Sequence, residues 1–195
     1  MGKKRVVVSF DFAREWPYWG AVSEANSANL CLECGLCCNG VIFADVELQP
    51  IEFQSLKFKV QIPATRRKSG QPAVAKLPQP CAAFDGCRCK IYAERPTYCR
   101  QFECLLLKNV LAGRLERAAA SRIVRTARER AEKVCALLRE LGDTDEEIAL
   151  SLRFQRAAKR YEKAPLADGK AETYADLTLA VHDLNMLISE AFYPG

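Results

Sequence analysis

The sequence predicts a mainly α-helical protein, in which a small irregular cysteine-rich module with few short strands precedes a C-terminal bundle of about three helices. Nine of the ten cysteines lie before residue 105, in a part of the chain that also holds short alternating segments. No proline occurs from Thr97 to Ala164, and apolar residues recur there at steps of three and four. We therefore expect a module at residues 1–110 and a helical extension at residues 111–195 that packs on it.

The first predicted helix carries one apolar stripe and stops before Gly142, since glycine is typical of helix C-termini. Cys135 lies beside this stripe and is predicted to be a buried core thiol rather than a ligand. The stripe consists of Ala120, Val124, Ala127, Ala131, Val134 and Leu138.

Two further helices are predicted after Gly142. The segment "TDEE" (Thr144 to Glu147) has the pattern of a capping box, which predicts that the second helix opens there and continues through Ile148, Leu152 and Tyr161. His182, the only histidine, lies among polar residues of the third helix and is expected at the surface or its boundary. The apolar face of that third helix is formed by Tyr174, Leu177, Val181, Leu184 and Ile188.

The N-terminal half shows only short elements. Val6 to Phe12 alternates as a short strand does, and Gly40 to Leu48 predicts another, followed by a turn or short helix near Pro50. Pro63 to Pro80 is rich in proline and contains the basic triplet Arg66 to Lys68, which predicts an exposed loop.

The charge balance is mildly basic, because 29 lysines and arginines against 24 acidic residues give a net charge of +5. Much of the surplus lies in Gly113 to Lys133, where a solvated helix face is a better interpretation than a nucleic-acid surface. No apolar run approaches the roughly 18 residues of a membrane span. The apolar run Val6 to Val8 is far shorter than the core of a signal peptide. We expect a cytoplasmic protein, in a compartment where structural disulfides are rare.

The segment "LCLECGLCCNG" (Leu30 to Gly40) holds four cysteines, and metal ligation explains them better than burial or disulfides do. Cysteines on a core face would follow a helix or strand period, and two adjacent cysteines bridge each other only as a strained ring. Two cysteines three residues apart can chelate one ion across a turn that a small residue such as Gly35 permits. The cation then neutralises the crowded thiolates.

Cys37 and Cys38 are adjacent, so their side chains point in different directions. Either they serve two metals, or one of them bridges or does not ligate. In two-cluster ferredoxins, C-x2-C-x2-C feeds one cluster and the next cysteine reaches the other.

A second cysteine group occupies Pro80 to Cys104, "PCAAFDGCRCKIYAERPTYCRQFEC". It matches P-C-x-F-…-C-x-I-Y-x-x-R-P-x-x-C-R-x-F-x-C, and the first group matches CxxCGxCC. Together they resemble the CxxCxxCC (YkgJ-like) cysteine-cluster family, described as a zinc- or iron-chelating domain. The resemblance covers about Leu30 to Leu106 and leaves the long helices outside.

The resemblance implies a set of eight metal ligands, with Cys87 in the variable spacer as a further candidate that departs from the pattern. Arg95 and Arg100 match the family as well. We expect both to offset the negative charge of a four-thiolate site and to donate hydrogen bonds to it, the alternative being ion pairs with Glu94 or Glu103. The eight implied ligands are Cys31, Cys34, Cys37, Cys38, Cys81, Cys89, Cys99 and Cys104.

Eight thiolates suit two tetrahedral zinc sites, or one or two iron–sulfur clusters. The spacing C-x2-C-x2-C favours a 4Fe–4S cluster, because zinc modules more often present two separated C-x2-C pairs. Iron–sulfur is therefore the favoured cofactor and zinc is the alternative, while a mixed arrangement or a mononuclear iron also stays open.

Three functions remain open at this point. The favoured one is an iron–sulfur protein with a redox, sensing or structural role. The second is a structural zinc module that binds a partner or nucleic acid. The third is a metal-dependent enzyme that modifies a protein or peptide, since flagellin lysine methylases, which resemble this family, join such a cluster to modification chemistry. This chain has no Gly-rich nucleotide loop and no C-x3-C-x2-C motif. A protein or redox partner is expected before nucleic acid, and no membrane partner is expected; the sequence gives no oligomeric state.

Overall fold

A computed structural model describes residues 30–56, 75–86, 88–163 and 170–193. Within these ranges the protein is mainly helical, as predicted, with one two-stranded antiparallel sheet. The described part of helix α1 covers residues 30–34. The later elements are β1 Asp45–Glu47, α2 Pro50–Leu56, β2 Lys76–Pro78, a 3-10 turn at Tyr92–Glu94, α3 Thr97–Gln101, α4 Leu105–Leu111, α5 Arg117–Glu140, α6 Leu150–Lys163 and α7 Lys170–Ala191.

The long helices α5 and α7 pack along each other, and α4 and α6 contact α5. All six residues of the predicted α5 stripe are buried, which confirms that stripe. The predicted α7 face is confirmed too, since Leu177, Leu184 and Ile188 are buried, and Tyr174 and Val181 pack against the same core. After α5, Gly142 adopts φ +84°, and the next N–H donates to the Leu138 carbonyl at 2.9 Å, so the helix stops there as expected.

The core around these helices, here called the helical core, also takes in residues from the cysteine-rich half. Leu30 and Leu36 come from the first cysteine segment, and Leu106 and Leu107 from α4. The C-terminal helices therefore pack directly on the segments that carry the cysteines.

A second core, here called the small core, lies between the sheet, α2 and the second cysteine segment. It consists of Leu48, Leu56, Leu77, Cys81 and Ala83. The prediction of an exposed loop is wrong for its last part, because Lys76–Pro78 is strand β2 and pairs with β1 in the register Val46↔Leu77. Leu77 is only 1% exposed. Pro78 is tolerated because β2 is an edge strand of a two-stranded sheet. The rest of that predicted loop before residue 75, with its basic triplet, lies outside the described residues.

The predicted capping box is also wrong. Helix α6 begins at Leu150, so Ile148 precedes it. Thr144 accepts the Glu146 N–H at 3.1 Å in a turn. Within the segment, the Glu146 carboxylate accepts a hydrogen bond from Arg139 at 2.6 Å, which ties this turn to α5.

Other sequence predictions have simpler outcomes. The strand expected within Gly40 to Leu48 is present but limited to Asp45–Glu47, and the short helix near Pro50 is present as α2. The strand predicted at Val6 to Phe12 lies outside the described residues. None of the helices that the structure describes is long and apolar enough to span a membrane.

Candidate metal centre

A tight turn at Gly35 folds the first cysteine segment. Helix α1 ends at Cys34, and the Gly35 N–H donates to the Cys31 carbonyl at 3.3 Å. Gly35 adopts φ +65°, in the left-handed region that favours glycine. Its own carbonyl accepts the Cys38 N–H at 2.9 Å. The four cysteines of this segment therefore lie on the two sides of one compact turn.

Backbone hydrogen bonds join the second cysteine segment to the first. The Cys81 N–H donates to the Cys38 carbonyl at 2.8 Å, and the Phe84 N–H donates to the Cys81 carbonyl at 2.8 Å. Phe84 and Cys89 form an antiparallel β-bridge, so the chain reverses its direction between them. The Phe84 ring packs so closely over Gly35 that a Cβ there would lie 2.7 Å from Phe84 Cζ.

Two short helices carry the last two candidate ligands. Cys99 lies within α3, which contacts β1. Cys104 is the residue before α4, and its Sγ accepts the Leu107 N–H at 3.4 Å. Because Leu106 and Leu107 are buried in the helical core, α4 holds Cys104 beside that core.

The thiols of Cys31, Cys34, Cys37 and Cys104 form what we call the first set. Burial is the largest cause that raises the pKa of each, to about 11 for Cys31 and about 12 for Cys34. Among the neighbouring thiols, Cys104 raises the pKa of the other three. One ionisable group shifts another in this way only when the two lie close together. The four thiols are therefore neighbours.

The thiols of Cys38, Cys81, Cys89 and Cys99 form the second set. Burial raises the pKa of Cys38 and of Cys99 to about 12, and after burial Cys81 and Cys89 are the largest charge effects on both. Burial also raises the pKa of Cys81, and Cys89 adds to it. The adjacent Cys37 and Cys38 thus belong to different sets. Charge effects also cross between the sets: Cys38 raises the pKa of Cys37 more than Cys31 does, and Cys31 raises the pKa of Cys38, so the two sets lie side by side.

The two hydrophobic cores sort the cysteines in the same way, independently of charge. Three members of the first set pack against the helical core, and three members of the second set lie in or against the small core. They are Cys34, Cys37 and Cys104 for the helical core, and Cys38, Cys81 and Cys89 for the small core.

The sulfur atoms of each set lie near one another but do not surround a common point. Among the described residues, no three histidine, cysteine, aspartate or glutamate side chains are arranged as they would be around one ion. The two sets therefore define neighbours and not a coordination geometry.

Backbone N–H groups point at several of these sulfurs. The N–H of Leu36 donates to the Cys34 sulfur, that of Ala83 to the Cys81 sulfur and that of Leu107 to the Cys104 sulfur. Each hydrogen bond lowers the pKa of the thiol that accepts it, against the larger effect of burial. A hydrogen bond to sulfur stabilises the thiolate form, which is the form that ligates metals.

Arg95 lies within reach of both sets. Against the larger effect of burial, its charge lowers the pKa of Cys31 in the first set and of Cys99 in the second. Its guanidinium stacks on the Tyr92 ring at 3.8 Å from the centroid. Its Nε is buried and has no hydrogen-bond partner among the described residues. Such a donor suits an acceptor that sits between the sets, such as a sulfur atom.

Arg100 is placed differently. Its side chain is exposed, and its guanidinium donates to Thr97 Oγ1 at 3.4 Å. The role proposed for Arg100 at the metal site therefore remains a prediction, without a described contact to a thiol.

The remaining candidates fall outside both sets. Cys135 is half-buried at the edge of the helical core rather than fully buried as predicted, and its Sγ accepts a hydrogen bond from the Arg153 guanidinium at 3.7 Å. Cys87 lies outside the described residues. His182 is exposed, as expected for a surface residue.

Sequence reasoning missed two residues beside the first set. Arg128 of α5 lowers the pKa of Cys34 against burial, and its Nη2 is 3.7 Å from the position of a Cβ on Gly35. Near the C-terminal end, burial raises the pKa of Tyr193, and the Cys37 thiol adds to it. No motif marks either residue, since both reach the site only through the packing of α5 and α7.

Two neighbouring sets of four thiols on a small irregular module are the features of a cysteine-rich metal-chelating domain. The family model described as "CxxCxxCC: Putative zinc- or iron-chelating domain" matches residues 30–136, more than half of the chain, and the protein belongs to this family. The match continues beyond Leu106 into α5. No curated protein and no solved structure matches the chain.

Proposed function

We propose that the protein holds two metal centres, one bound by the first set and one by the second, and that both are iron–sulfur clusters of the 4Fe–4S type. Their role is to transfer or sense electrons in a reducing compartment such as the cytoplasm, where the thiols stay available for a metal. The observation that carries this proposal is that the adjacent Cys37 and Cys38 pack against different cores, Cys37 against the helical core and Cys38 against the small core.

The donors present fit such clusters. Each set offers four thiols, which is the number of ligands that a 4Fe–4S cluster takes from a protein. The backbone N–H of Leu107 already donates to Cys104 Sγ, and the buried Arg95 Nε lacks an acceptor. Hydrogen bonds to the sulfurs and a nearby cation help to hold a negatively charged cluster and adjust its potential.

The first set supports iron–sulfur over zinc. It combines three cysteines at C-x2-C-x2-C spacing with one distant cysteine, Cys104, and the next cysteine in the chain, Cys38, belongs to the other set. Ferredoxin-type clusters likewise use C-x2-C-x2-C runs whose next cysteine ligates the other cluster. The cluster supplies one-electron chemistry when bound. The chain holds it, shields it by burial and compensates its charge through Arg95.

The test is analysis of protein purified without oxygen. We expect a brown protein with broad absorbance near 400 nm, iron and inorganic sulfide in equal amounts, and bleaching by dithionite that air reverses. A colourless protein that holds zinc would contradict the iron–sulfur assignment, and one that holds neither metal would contradict the proposal altogether.

Two variants make the analysis specific to the sets. Cys34→Ser should lose the metal of the first set, because a missing ligand weakens binding and the local fold that depends on it. Cys135→Ala removes the one described cysteine outside both sets and should keep the full metal content. Full metal content in Cys34→Ser, or loss in Cys135→Ala, would contradict the assignment of ligands.

A further inference from the structure

We propose that the face of α5 formed by Arg122, Arg125 and Arg128 is the docking surface for an acidic electron-transfer protein. The reduced partner gives one electron to the oxidised first centre and is itself oxidised by one electron, with no bond made or broken. This inference rests on the proposed function, since it assigns a partner to the first set.

The face borders the first set at two points. Near the start of α5, Arg117 Nη2 lies 2.7 Å from Glu33 Oε1, and Glu33 stands between two first-set cysteines in the chain. Three turns further on, Arg128 reaches the Gly35 turn, where its Nη2 is 3.7 Å from the position of a Cβ on Gly35. Helix α5 therefore runs alongside the segment 33–35. Cys31 keeps an exposed surface although protein surrounds its thiol, so the first set approaches solvent here.

The three arginines of the face are exposed, and within the described ranges no hydrogen bond or ion pair engages them. Other arginines of α5 are engaged: Arg130 donates to the Asp183 carbonyl at 2.7 Å, and Arg139 pairs with Glu132 at 2.9 Å. Glu129 is exposed on the same side of the helix, so the face is predominantly rather than purely positive.

The charge pattern fits a protein better than a nucleic acid. Arg122 to Arg128 span about 9 Å of helix, at 1.5 Å per residue. A nucleic-acid surface commonly neutralises about 6–10 phosphates, which needs a longer positive track than this. Glu129 would also repel a continuous phosphate backbone. Separate carboxylates on a protein surface can pair with individual guanidinium groups, and the attraction accelerates encounter at low salt.

The experiment uses the full metal-loaded chain and a defined acidic electron carrier, flavodoxin in its hydroquinone state, whose oxidation is followed by flavin absorbance in a stopped-flow instrument. Arg122→Gln/Arg125→Gln is compared with Lys159→Gln/Lys170→Gln, which removes the same charge from exposed positions on α6 and α7. Arg128 is left unchanged because it touches the Gly35 turn.

We expect the arginine variant to react about 10-fold more slowly than the unmodified chain at low salt, and the lysine variant less than about 2-fold more slowly. Raising the salt should slow the unmodified chain but change the arginine variant little. Equal rates for the arginine variant and the unmodified chain would overturn the proposal. So would equal slowing in both variants, since that would be an effect of net charge alone.

Two further measurements separate this inference from the proposed function. The iron content and visible spectrum of each variant are recorded first, so a chain without iron–sulfur centres refutes the proposed function directly. Calorimetric binding of oxidised flavodoxin at low salt then tests the surface whatever the metal, and unchanged binding in the arginine variant would overturn the docking face. A short DNA duplex that binds more tightly than flavodoxin, and only when the arginines are present, would assign the face to nucleic acid instead.

Discussion

Gly35 determines how the first cysteine segment meets the second. Its φ of +65° is strained for any residue with a Cβ, and a Cβ there would lie 2.7 Å and 3.0 Å from two carbons of the Phe84 ring. We expect Gly35→Ala to lower the free energy of unfolding by about 1–2 kcal/mol for the left-handed backbone and by about 1–3 kcal/mol more for the displaced ring.

Gly113→Ala is the matched control for this prediction. Gly113 has nearly the same φ, +67°, but nothing lies within 4 Å of its added Cβ. In urea unfolding, Gly113→Ala should therefore lower the free energy of unfolding only by the part that comes from the left-handed backbone. Equal losses in the two variants would show that Phe84 does not press on the turn.

Arg95 is the residue whose loss should change the proposed centres without removing a ligand. Replacing it with methionine removes a positive charge near both sets, which makes it harder to add an electron. We expect Arg95→Met to lower the reduction potentials by on the order of 50 mV, about 1 kcal/mol for one electron at a protein's effective dielectric constant. Redox titration followed by visible absorbance measures this shift.

Arg100→Met provides the comparison, because Arg100 is exposed and its described hydrogen bond goes to Thr97. It should leave the potentials within about 10 mV of the unmodified values, since an exposed charge is screened by solvent. A larger shift in Arg100→Met than in Arg95→Met would contradict the placement of Arg95 beside the sets.

The sequence could predict the candidate ligands but only part of their grouping. Adjacent side chains diverge, so a separation of Cys37 from Cys38 was among the open interpretations of the motif. The membership of Cys104 was not predictable from spacing. It joins the first set because Leu106 and Leu107 anchor α4 in the helical core, whereas Cys99, five residues earlier, lies on α3 against β1.

At the level of elements, one buried ion pair fixes the connection from α5 to α6. Arg153 Nε lies 3.1 Å from Asp143 Oδ1, with the two side chains 3% and 1% exposed. Removing one member of such a pair leaves a buried charge without its partner. We expect Arg153→Met to lower the free energy of unfolding by about 3–5 kcal/mol.

Arg156, one turn further along α6, supplies the control. It pairs with Asp145 at 3.0 Å, but both side chains are 45% exposed. Arg156→Met should cost less than about 1 kcal/mol, because solvent screens an exposed pair. Urea unfolding of both variants, monitored by circular dichroism, tests the prediction, and similar losses would refute a structural role for the buried pair.

The elements that the sequence predicted best are those whose pattern repeats, such as the stripes of α5 and α7. Strand β2 was hidden because its three residues include a proline and it gains its order from pairing with β1, in which Val46, 31 positions earlier, stands opposite Leu77. The start of α6 was misplaced because the segment after Thr144 forms a turn, which Glu146 ties to Arg139 of α5 and Asp145 ties to Arg156 of α6. Local propensity cannot show either partner.

For the whole molecule, the raised thiol pKa values link metal binding to pH. A free thiol whose pKa is raised from 9.0 to about 11 or 12 keeps its proton at neutral pH, so a metal ion must displace it. The metal-bound form therefore loses stability relative to the metal-free form as pH falls, and it gains stability as pH rises toward the thiol pKa values.

We therefore expect Zn²⁺, used as a probe on the metal-free chain, to release about one proton per ligand thiol near neutral pH, and to bind more weakly as pH is lowered. Calorimetry in buffers of different ionisation enthalpy counts the protons. An affinity that does not change with pH, without proton release, would mean that the thiols are not the ligands.

The cysteine-rich half and the long helices share one core, and two further hydrogen bonds join the end of the chain to the cysteine segments. The Leu105 N–H donates to the Phe192 carbonyl at 3.0 Å, and the Tyr193 hydroxyl donates to the Ile42 carbonyl at 3.0 Å. The division at residues 110 and 111 remains a prediction about sequence regions. Both regions contribute to the surroundings of the first set, so we expect substitutions in α7 to affect the first set.

The central claim is that eight thiols divide into two sets of four, and double variants of ligands test it most directly. Metal and sulfide are measured in anaerobically purified Cys37→Ser, in Cys37→Ser/Cys104→Ser, and in Cys37→Ser/Cys99→Ser. If the sets are as described, the first two retain about half of the metal of the unmodified chain, because both changes fall in one set, and the third retains almost none. Equal metal content in the two double variants would contradict the division.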